Sequence, residues 1–387
     1  MKPICVLSFF LFIFSCRQTE IAPEPLVFPF QTTCLLSKTQ HFYEAPNGNL
    51  IVDYVETYQY DSLKRITEYA FSYKSGSDTI RYEYSFKDIY HYNSSGFLVE
   101  ISRNGLHYNG NAKYYGNKPS PMATITGKTI FTYQNGLLMK EEKHQKINAE
   151  FVVEFINPRT DRKFYEYDSQ GKLVKYRYEN ADENGVSYFL SNDKIIKSET
   201  DWYESSTQRI IINDTFTQWG LLIQHNFPKI YYKNGIYQNR TAEIGDYDKH
   251  FYDTYGRKIK IEKYRQEYSG NFGSTTISEN AALIDIKEIQ YEDTRLPLTT
   301  LPLPKGHPKI PDFEGNSTYN IRFNKLTIKK SAFKNTSSKQ SDAIYNYDYN
   351  AEKLPTNLII TNDSYDDKGN IASTSKAGYK YEYVSCK

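Results

Sequence analysis

The sequence YEYDSQGKLVKYRY, which runs from Tyr165 to Tyr178, decides the fold class of this chain. Its first two tyrosines lie one residue apart, so both rings fall on one face of a β-strand, where side chains alternate. Asp168 can accept a hydrogen bond from the backbone two residues on and so begin a turn, and Gly171 can take the positive φ that other residues resist. Leu173 then starts an alternating return strand. The stretch therefore predicts a β-hairpin.

The same order of residue types recurs along the chain. It consists of an aromatic residue, any residue, Tyr, then Asp or Asn, a short turn with Gly, and Leu or Ile. Full or shortened copies lie at 90–98, 131–137, 231–236, 252–257 and 365–371, and copies without the glycine lie at 58–66 and 345–348. Eight hairpin units of one plan predict an all-β fold, in which antiparallel hairpins form a large twisted sheet or meander.

Little helix is expected, because no segment shows a sustained amphipathic helical period. We assign the β-repeat domain to residues 31–387. Five prolines between 296 and 312 interrupt strand formation: Pro297, Pro302, Pro304, Pro308 and Pro311. They mark either a linker between two parts or a long loop within one continuous sheet, and we favour the single domain.

Residues Tyr252–Arg257 read YDTYGR and form the copy that best matches a known repeat. This copy resembles the YD-repeat (RHS-like) family, whose hallmark is Tyr-Asp-x-x-Gly-Arg followed by a hydrophobic residue. The resemblance extends over most of residues 50–383, and the chain also looks like exported bacterial lipoproteins with degenerate repeats of this kind. It implies the hairpin architecture. Large YD-repeat proteins build closed shells around toxin cargo from far more repeats, so that function is not carried over.

Residues 1–15 have the organisation of a bacterial signal peptide. Lys2 supplies a positive start, and the apolar run from Ile4 to Phe14 is too short to span a bilayer. The run ends in IFSC, which resembles the lipobox that precedes an acylated cysteine. We therefore predict cleavage before Cys16, a lipid anchor on that cysteine, and a proline-containing tether over 16–30. An ordinary signal peptide is the alternative. The expected location is the cell outer membrane, with its periplasmic or surface face left open.

The composition excludes some classes of partner and favours a folded domain. The 48 basic and 46 acidic residues are interspersed, so the chain lacks the clustered basic face that nucleic-acid binding requires. Aromatic residues make up 16% of the chain, whereas disordered chains are poor in aromatics. A tyrosine ring covers apolar area while its hydroxyl stays in water, which suits the half-exposed face of a sheet.

Cys34 and Cys386 are the two cysteines that remain if the signal peptide is removed and Cys16 carries lipid. They lie at opposite ends of the repeat domain, and chain ends often lie close together in a folded domain. Because an exported protein meets an oxidising environment, we predict a disulfide between Cys34 and Cys386. Two separate thiols are the alternative.

No motif predicts a catalytic site, a metal site or a cofactor. The seven histidines are scattered without the His-Glu-x-x-His spacing, and no Gly-x-Ser-x-Gly motif is present. The acidic run Asp363–Asp367 could bind calcium, but Asp366 also occupies the turn position of a repeat, which explains it without a metal. The sequence therefore favours a protein that is not an enzyme.

The tyrosine rows allow two interpretations. They can form cross-strand pairs that stabilise the sheet, which we favour, or they can stack against sugars or partner proteins. Trp202 and Trp219 are the candidate platforms for such a ligand. The leading hypothesis is a membrane-anchored, non-catalytic lipoprotein that binds or scaffolds at the cell envelope, with a glycan or an envelope protein as partner. The alternatives are an envelope enzyme acting on glycans and a fragment of a toxin-delivery system, which would need a separate cargo region.

Overall fold

The structure is a computed structural model of the 387-residue chain. It describes residues 34–77, 80–111, 122–148, 159–180, 185–192, 194–205, 208–217, 222–233, 236–253, 258–268, 277–291, 303–308, 328–335, 340–352, 354–366 and 368–385. These residues form twenty β-strands and no helix. The strands are β1 (Leu35–Glu44), β2 (Leu50–Tyr60), β3 (Ile66–Ser77), β4 (Ile80–Tyr92), β5 (Leu98–Asn111), β6 (Met122–Gln134), β7 (Leu137–Asn148), β8 (Arg159–Tyr167), β9 (Leu173–Glu179), β10 (Gly185–Ser191), β11 (Lys194–Ser205), β12 (Gln208–Phe216), β13 (Leu222–Lys233), β14 (Ile236–Tyr252), β15 (Lys258–Tyr268), β16 (Ile277–Tyr291), β17 (Ile328–Asn335), β18 (Gln340–Tyr349), β19 (Pro355–Tyr365) and β20 (Ile371–Val384).

The strands follow one another around a single antiparallel meander. Each strand pairs with the strands before and after it in the chain, and β1 pairs with β20 as well as with β2. Every strand therefore has a hydrogen-bonded neighbour on both sides, and the succession of pairings closes into a ring. The predicted all-β hairpin meander is confirmed. The predicted seam at 296–312 lies between β16 and β17, which pair with each other.

The two faces of the strands differ in burial, as period-two alternation requires. In β6, Ala123, Ile125 and Phe131 are buried, whereas Lys128 and Ile130 between them are exposed. We call the buried face the inner face of the ring. The outer face carries cross-strand ion pairs, including Lys87–Glu68 at 3.0 Å and Lys175–Glu166 at 3.0 Å. Such exposed pairs contribute little to stability, about 0–1 kcal/mol each.

The turn of the Tyr165 copy has the predicted geometry. The Asp168 carboxylate accepts hydrogen bonds from the amides of Gln170 and Lys172, each at 2.9 Å. Gly171 has a φ of +77°, a conformation that a side chain would strain. The predicted hairpin turn is confirmed at this copy, and both Tyr165 and Tyr167 pack in the same inner cluster, as the Tyr-x-Tyr spacing predicts.

The turns of two other copies, at Asp61 and Asp366, show how much the turn sequence can vary. The Asp61 turn lacks glycine, and Lys64 takes the positive φ of 61° in its place. The Asp366 carboxylate accepts the amides of Lys368 and Asn370 at 2.9 and 2.8 Å. The backbone hydrogen bond from Asn370 is the main reason that the pKa of Asp366 is lowered. Asp366 is thus accounted for as a turn residue.

The second tyrosine of the repeats has a structural role that recurs at one end of the ring. Its hydroxyl donates a hydrogen bond to the first backbone carbonyls of the preceding strand, and each bond joins an even-numbered strand to the odd-numbered strand before it. The pairs are Tyr60–Leu36, Tyr92–Ile66, Tyr133–Leu98, Tyr167–Leu138 and Tyr252–Leu222, and Tyr383, which lies outside the repeat copies, makes the same bond to Pro355; the distances are 2.5 to 2.9 Å. We call this the tyrosine end of the ring. A neutral bond of this kind contributes about 0.5–1.5 kcal/mol.

The buried core also lies toward the tyrosine end. Its larger cluster joins β5 to β11 through nine buried side chains, which are Leu98, Ile101, Phe131, Leu138, Tyr165, Leu173, Tyr188, Leu190 and Ile195. A smaller cluster contains Leu36, Tyr58 and Ile66, and Tyr90 packs against both clusters. The Leu or Ile that begins the return strand is a core residue at Ile66, Leu98 and Leu173, because the tight turn returns it directly to the inner face. Ile371, which follows the Asp366 turn, is instead exposed.

Candidate functional site

The structure places two of the residues that the sequence singles out. Trp202 lies in β11 opposite Ile210, so it is a strand residue in the middle of the meander. Cys34 is buried and forms a disulfide. Cys16, Trp219 and Cys386 lie outside the described residues, so lipidation at Cys16 and a platform that includes Trp219 stay predictions.

The disulfide partner of Cys34 lies outside the described residues as well. Leu35 pairs with Val384 in the β1–β20 ladder, which brings the residue after Cys34 opposite the residue two before Cys386. The predicted Cys34–Cys386 pairing remains a prediction, and the register supports it.

A row of aromatic rings crosses five neighbouring strands on the inner face. The rings lie in β20, β1, β2, β3 and β4, and each is half-buried, so each presents part of its surface to solvent. We call this row the inner aromatic belt, and it consists of Tyr379, His41, Tyr54, Phe71, Tyr84 and Phe86. None of these residues belongs to a repeat copy, so the belt is separate from the structural tyrosines.

The rings of the belt are in continuous contact. The centroid of His41 lies 4.8 Å from that of Tyr379 and 4.9 Å from that of Tyr54, with the His41 and Tyr54 planes 9° apart. Tyr54 and Phe71 are 5.6 Å apart, and Phe71 and Phe86 are 5.4 Å apart. These separations are within the range of favourable aromatic pairs. The belt is therefore a connected apolar surface with hydroxyls along it.

Two hydrogen bonds hold the middle of the belt in position. His41 Nδ1 lies 2.5 Å from Asp53 Oδ1, and the same carboxylate oxygen accepts the Tyr54 amide at 2.9 Å. The pKa of Tyr54 is raised, mainly by burial and secondly by a hydrogen bond with Tyr379. The Tyr54 hydroxyl therefore stays protonated and can donate a hydrogen bond.

Charged side chains border the belt at β4 and β5. The Arg103 guanidinium lies 3.8 Å above the Phe86 ring and binds both oxygens of Asp88 at 2.7 Å. Burial acts to lower the pKa of Arg103, but its hydrogen bonds and charge interaction with Asp88 outweigh burial and raise it. The guanidinium is therefore a fixed cation at the border of the belt.

Three carboxylates near the belt are engaged by neighbouring groups. Asp53 holds His41, Asp88 holds Arg103, and Glu56 accepts the Tyr69 hydroxyl at 2.8 Å. Stacking surfaces with fixed polar groups at their border are suited to binding a ligand that has both apolar faces and hydroxyls. Catalysis by paired carboxylates requires one acid and one base that are open to the substrate.

A second inner group of charges lies near the tyrosine end. Glu141 in β7 is buried; its carboxylate accepts the Tyr165 hydroxyl and lies 3.2 Å from Lys163 Nζ. Burial acts to raise the pKa of Glu141, but Lys163, His307 and Tyr165 together lower it. Glu141 is thus a charged group enclosed in the core cluster, held by partners on the neighbouring strand.

The belt is the part of the site that our sequence reasoning missed. Its signal is present in the sequence as aromatic residues at alternate positions, in Tyr69–Tyr73 and again in Tyr82–Phe86. Alternation places such residues on one face of each strand. These strand interiors lie outside the repeat copies on which the predictions were based. His41 and Tyr379 join the belt only because β20 pairs with β1.

Two kinds of feature are absent from the described residues. They contain no helix that has the length and apolar character needed to cross a membrane. They also hold no group of three or more His, Cys, Asp or Glu side chains that could ligate a metal ion.

Comparisons with known proteins give a limited result. No protein-family model and no curated protein matches the chain. Among solved structures, a porin-like protein from Bacteroides uniformis shares 9% identity and a TM-score of 0.36, over 90% of this chain and 96% of that chain. A porin-like protein from Bacteroides vulgatus shares 10% identity and a TM-score of 0.29, over 91% of this chain and 99% of that chain.

Proposed function

We propose that this chain is a lipid-anchored, non-catalytic binding protein of the cell envelope whose ligand surface is the inner aromatic belt. The observation that carries the proposal is the continuous row of half-buried rings, bordered by Arg103 and Asp88. The ligand class that suits this surface is a glycan, because sugar rings offer apolar faces for stacking and hydroxyls for hydrogen bonds. The YD-repeat resemblance supports the hairpin scaffold on which the belt lies.

The engaged carboxylates support binding rather than catalysis. A glycan-hydrolysing enzyme, the alternative, would need an acid and a base that reach the same sugar bond. In the described part of the inner face, Asp53, Asp88 and Glu56 each interact with a neighbouring side chain instead. Their charges therefore fix the shape of the belt.

Phe71→Ala tests the belt against the matched variant Phe164→Ala. Both residues are half-buried phenylalanines in strands, but Phe71 belongs to the belt and Phe164 lies on the outer face, next to inner Tyr165. Loss of one stacking ring should weaken glycan binding by about 2- to 12-fold, which corresponds to about 0.5–1.5 kcal/mol. Glycan-array screening followed by calorimetric titration would measure it.

The control should bind like the unmodified protein. Equal affinity in all three proteins would contradict the belt as the ligand surface. Failure to bind any envelope glycan would contradict the proposed ligand class.

Cys16→Ser tests the anchor. Without the thiol no acyl chain can be attached, and the protein should move from the membrane fraction to the soluble fraction. Fractionation and blotting measure this, with Cys34→Ser as the control that leaves Cys16 in place. Unchanged membrane partitioning of Cys16→Ser would refute the lipid anchor. Protease treatment of intact cells then distinguishes the surface from the periplasmic face.

A further inference from the structure

A short turn from the far side of the ring is docked at the tyrosine end. The chain leaves β16 at Tyr291 and returns to β17 at Ile328, and in between Leu303–Pro308 contacts the β4–β5 and β6–β7 hairpins. β16 is ten strands from β6 in a ring of twenty, so these hairpins lie on the opposite wall. We call Leu303–Pro308 the strap.

The strap is a tight turn that packs closely against Gly136 and the Phe97 ring. The His307 amide donates to the Pro304 carbonyl at 3.1 Å, which closes the turn. The Gly306 carbonyl accepts the Leu138 amide at 3.1 Å. Gly306 has a φ of +79°, and a Cβ there would lie 2.6 Å from the carbonyl oxygen of Gly136. Only glycine meets both conditions, so the contact is specific for this turn.

Two further side chains fasten the strap. Lys305 Nζ donates to the Ser95 carbonyl at 3.0 Å and lies 4.6 Å from the centre of the Phe97 ring. His307 Nε2 lies 2.9 Å from the Tyr133 hydroxyl, and its ring centre is 5.2 Å from that of Phe131. Phe131 and Tyr133 belong to or pack against the inner cluster, so the strap inserts His307 into the inner side of the ring.

We propose that the strap is an acid-sensitive clasp, which is docked on the β4–β5 and β6–β7 hairpins at neutral pH and is released from them when His307 is protonated. The docking of the strap and its response to acid do not depend on any ligand.

The electrostatic surroundings of His307 set the direction of the response. Burial lowers the pKa of His307 to about 4, with Lys163 acting in the same sense and Glu141 opposing it. The Tyr133 hydroxyl and the Lys305 ammonium are the other titratable groups at this contact. In the released strap the pKa returns to about 6.5, the ordinary value for histidine. Docking is therefore strongest above pH 6.5 and weakens as the pH falls toward 4.

The size of the effect follows from those two pKa values. At pH 5 the released form takes up a proton that the docked form largely excludes. The docking equilibrium should therefore be roughly 30-fold weaker at pH 5 than at pH 7.5.

Hydrogen exchange at the Leu138 amide reports docking directly, since this amide donates to the strap. In the full chain, corrected for the intrinsic exchange rate, we expect its protection to fall by up to about 30-fold from pH 7.5 to pH 5. His307→Gln, which carries no titrating group, should keep the same protection at both pH values. The Lys172 amide, which donates to the Asp168 carboxylate in a neighbouring turn, is the internal control and should not respond.

Gly306→Val provides the second variant. Its side chain cannot fit against Gly136, so protection of Leu138 should be lost already at pH 7.5. Protection that persists in Gly306→Val would overturn the docking, and an equal loss at pH 5 in His307→Gln would overturn the role of His307. Neither result requires a ligand, so either can be told apart from a failure of glycan binding.

Discussion

Glu141→Ala should lower the free energy of unfolding by about 3–5 kcal/mol. Glu141 is 8% exposed, and its carboxylate interacts with Lys163 and with the Tyr165 hydroxyl. Truncation leaves the Lys163 ammonium without this partner and leaves Tyr165, which is buried, without its acceptor. A charge or hydroxyl that is left without a partner in a core of low polarity lowers the free energy of unfolding more than the loss of an exposed ion pair does. Chemical denaturation, followed by tyrosine fluorescence or circular dichroism, measures the change.

Glu142→Ala is the matched control for this prediction. Glu142 is the next residue in β7 and lies on the outer face, where it pairs with Lys140, His144 and Arg162. Its removal should cost about 0–1 kcal/mol, because water replaces the lost partners. Equal destabilisation by the two variants would show that Glu141 is not enclosed as described.

Leu98→Ala should destabilise the fold by about 2–5 kcal/mol. Leu98 is 0% exposed and belongs to the larger core cluster, and its carbonyl also accepts the Tyr133 hydroxyl. Removing three carbons there leaves a cavity among side chains that are fixed by the turn before β5, so the neighbours can relax only in part. The same denaturation measurement applies.

Leu106→Ala separates burial from the loss of a leucine as such. Leu106 lies in the same strand but is 41% exposed on the outer face. We expect a change within about 0.5 kcal/mol, as is usual for surface positions. A loss of several kcal/mol at Leu106, or a loss below 1 kcal/mol at Leu98, would contradict the assignment of the inner face.

The local features of the repeats could be predicted because they depend on neighbours in the chain. Asp168 and Asp366 accept amides two and four residues on, and Gly171 takes a positive φ, without reference to any distant residue. Tyr-x-Tyr places two rings on one face for the same reason, since alternation is a property of the strand. Fold class followed from the repetition of these units.

The repeats did not reveal at which end of the ring each turn would lie. The turn at Asp168 joins β8 to β9, whereas the turn at Asp366 joins β19 to β20, and in an up-and-down meander these turns lie at opposite ends. A hairpin motif specifies a reversal of direction but not the direction of the first strand. That direction depends on how many strands precede the motif.

The inner aromatic belt and the strap depend on contacts between residues far apart in the sequence. His41 meets Tyr379 because β20 pairs with β1, and His307, which lies between β16 and β17 in the chain, meets Tyr133 of β6. Burial of a tyrosine or a histidine is likewise set by the sum of its neighbours in space. Hairpins, turns and the alternation of the strands were thus contained in short stretches of sequence. The closure of the meander, the face that became the core and the grouping of aromatic and charged residues were decided by tertiary packing, because they require pairing between segments that no local pattern connects.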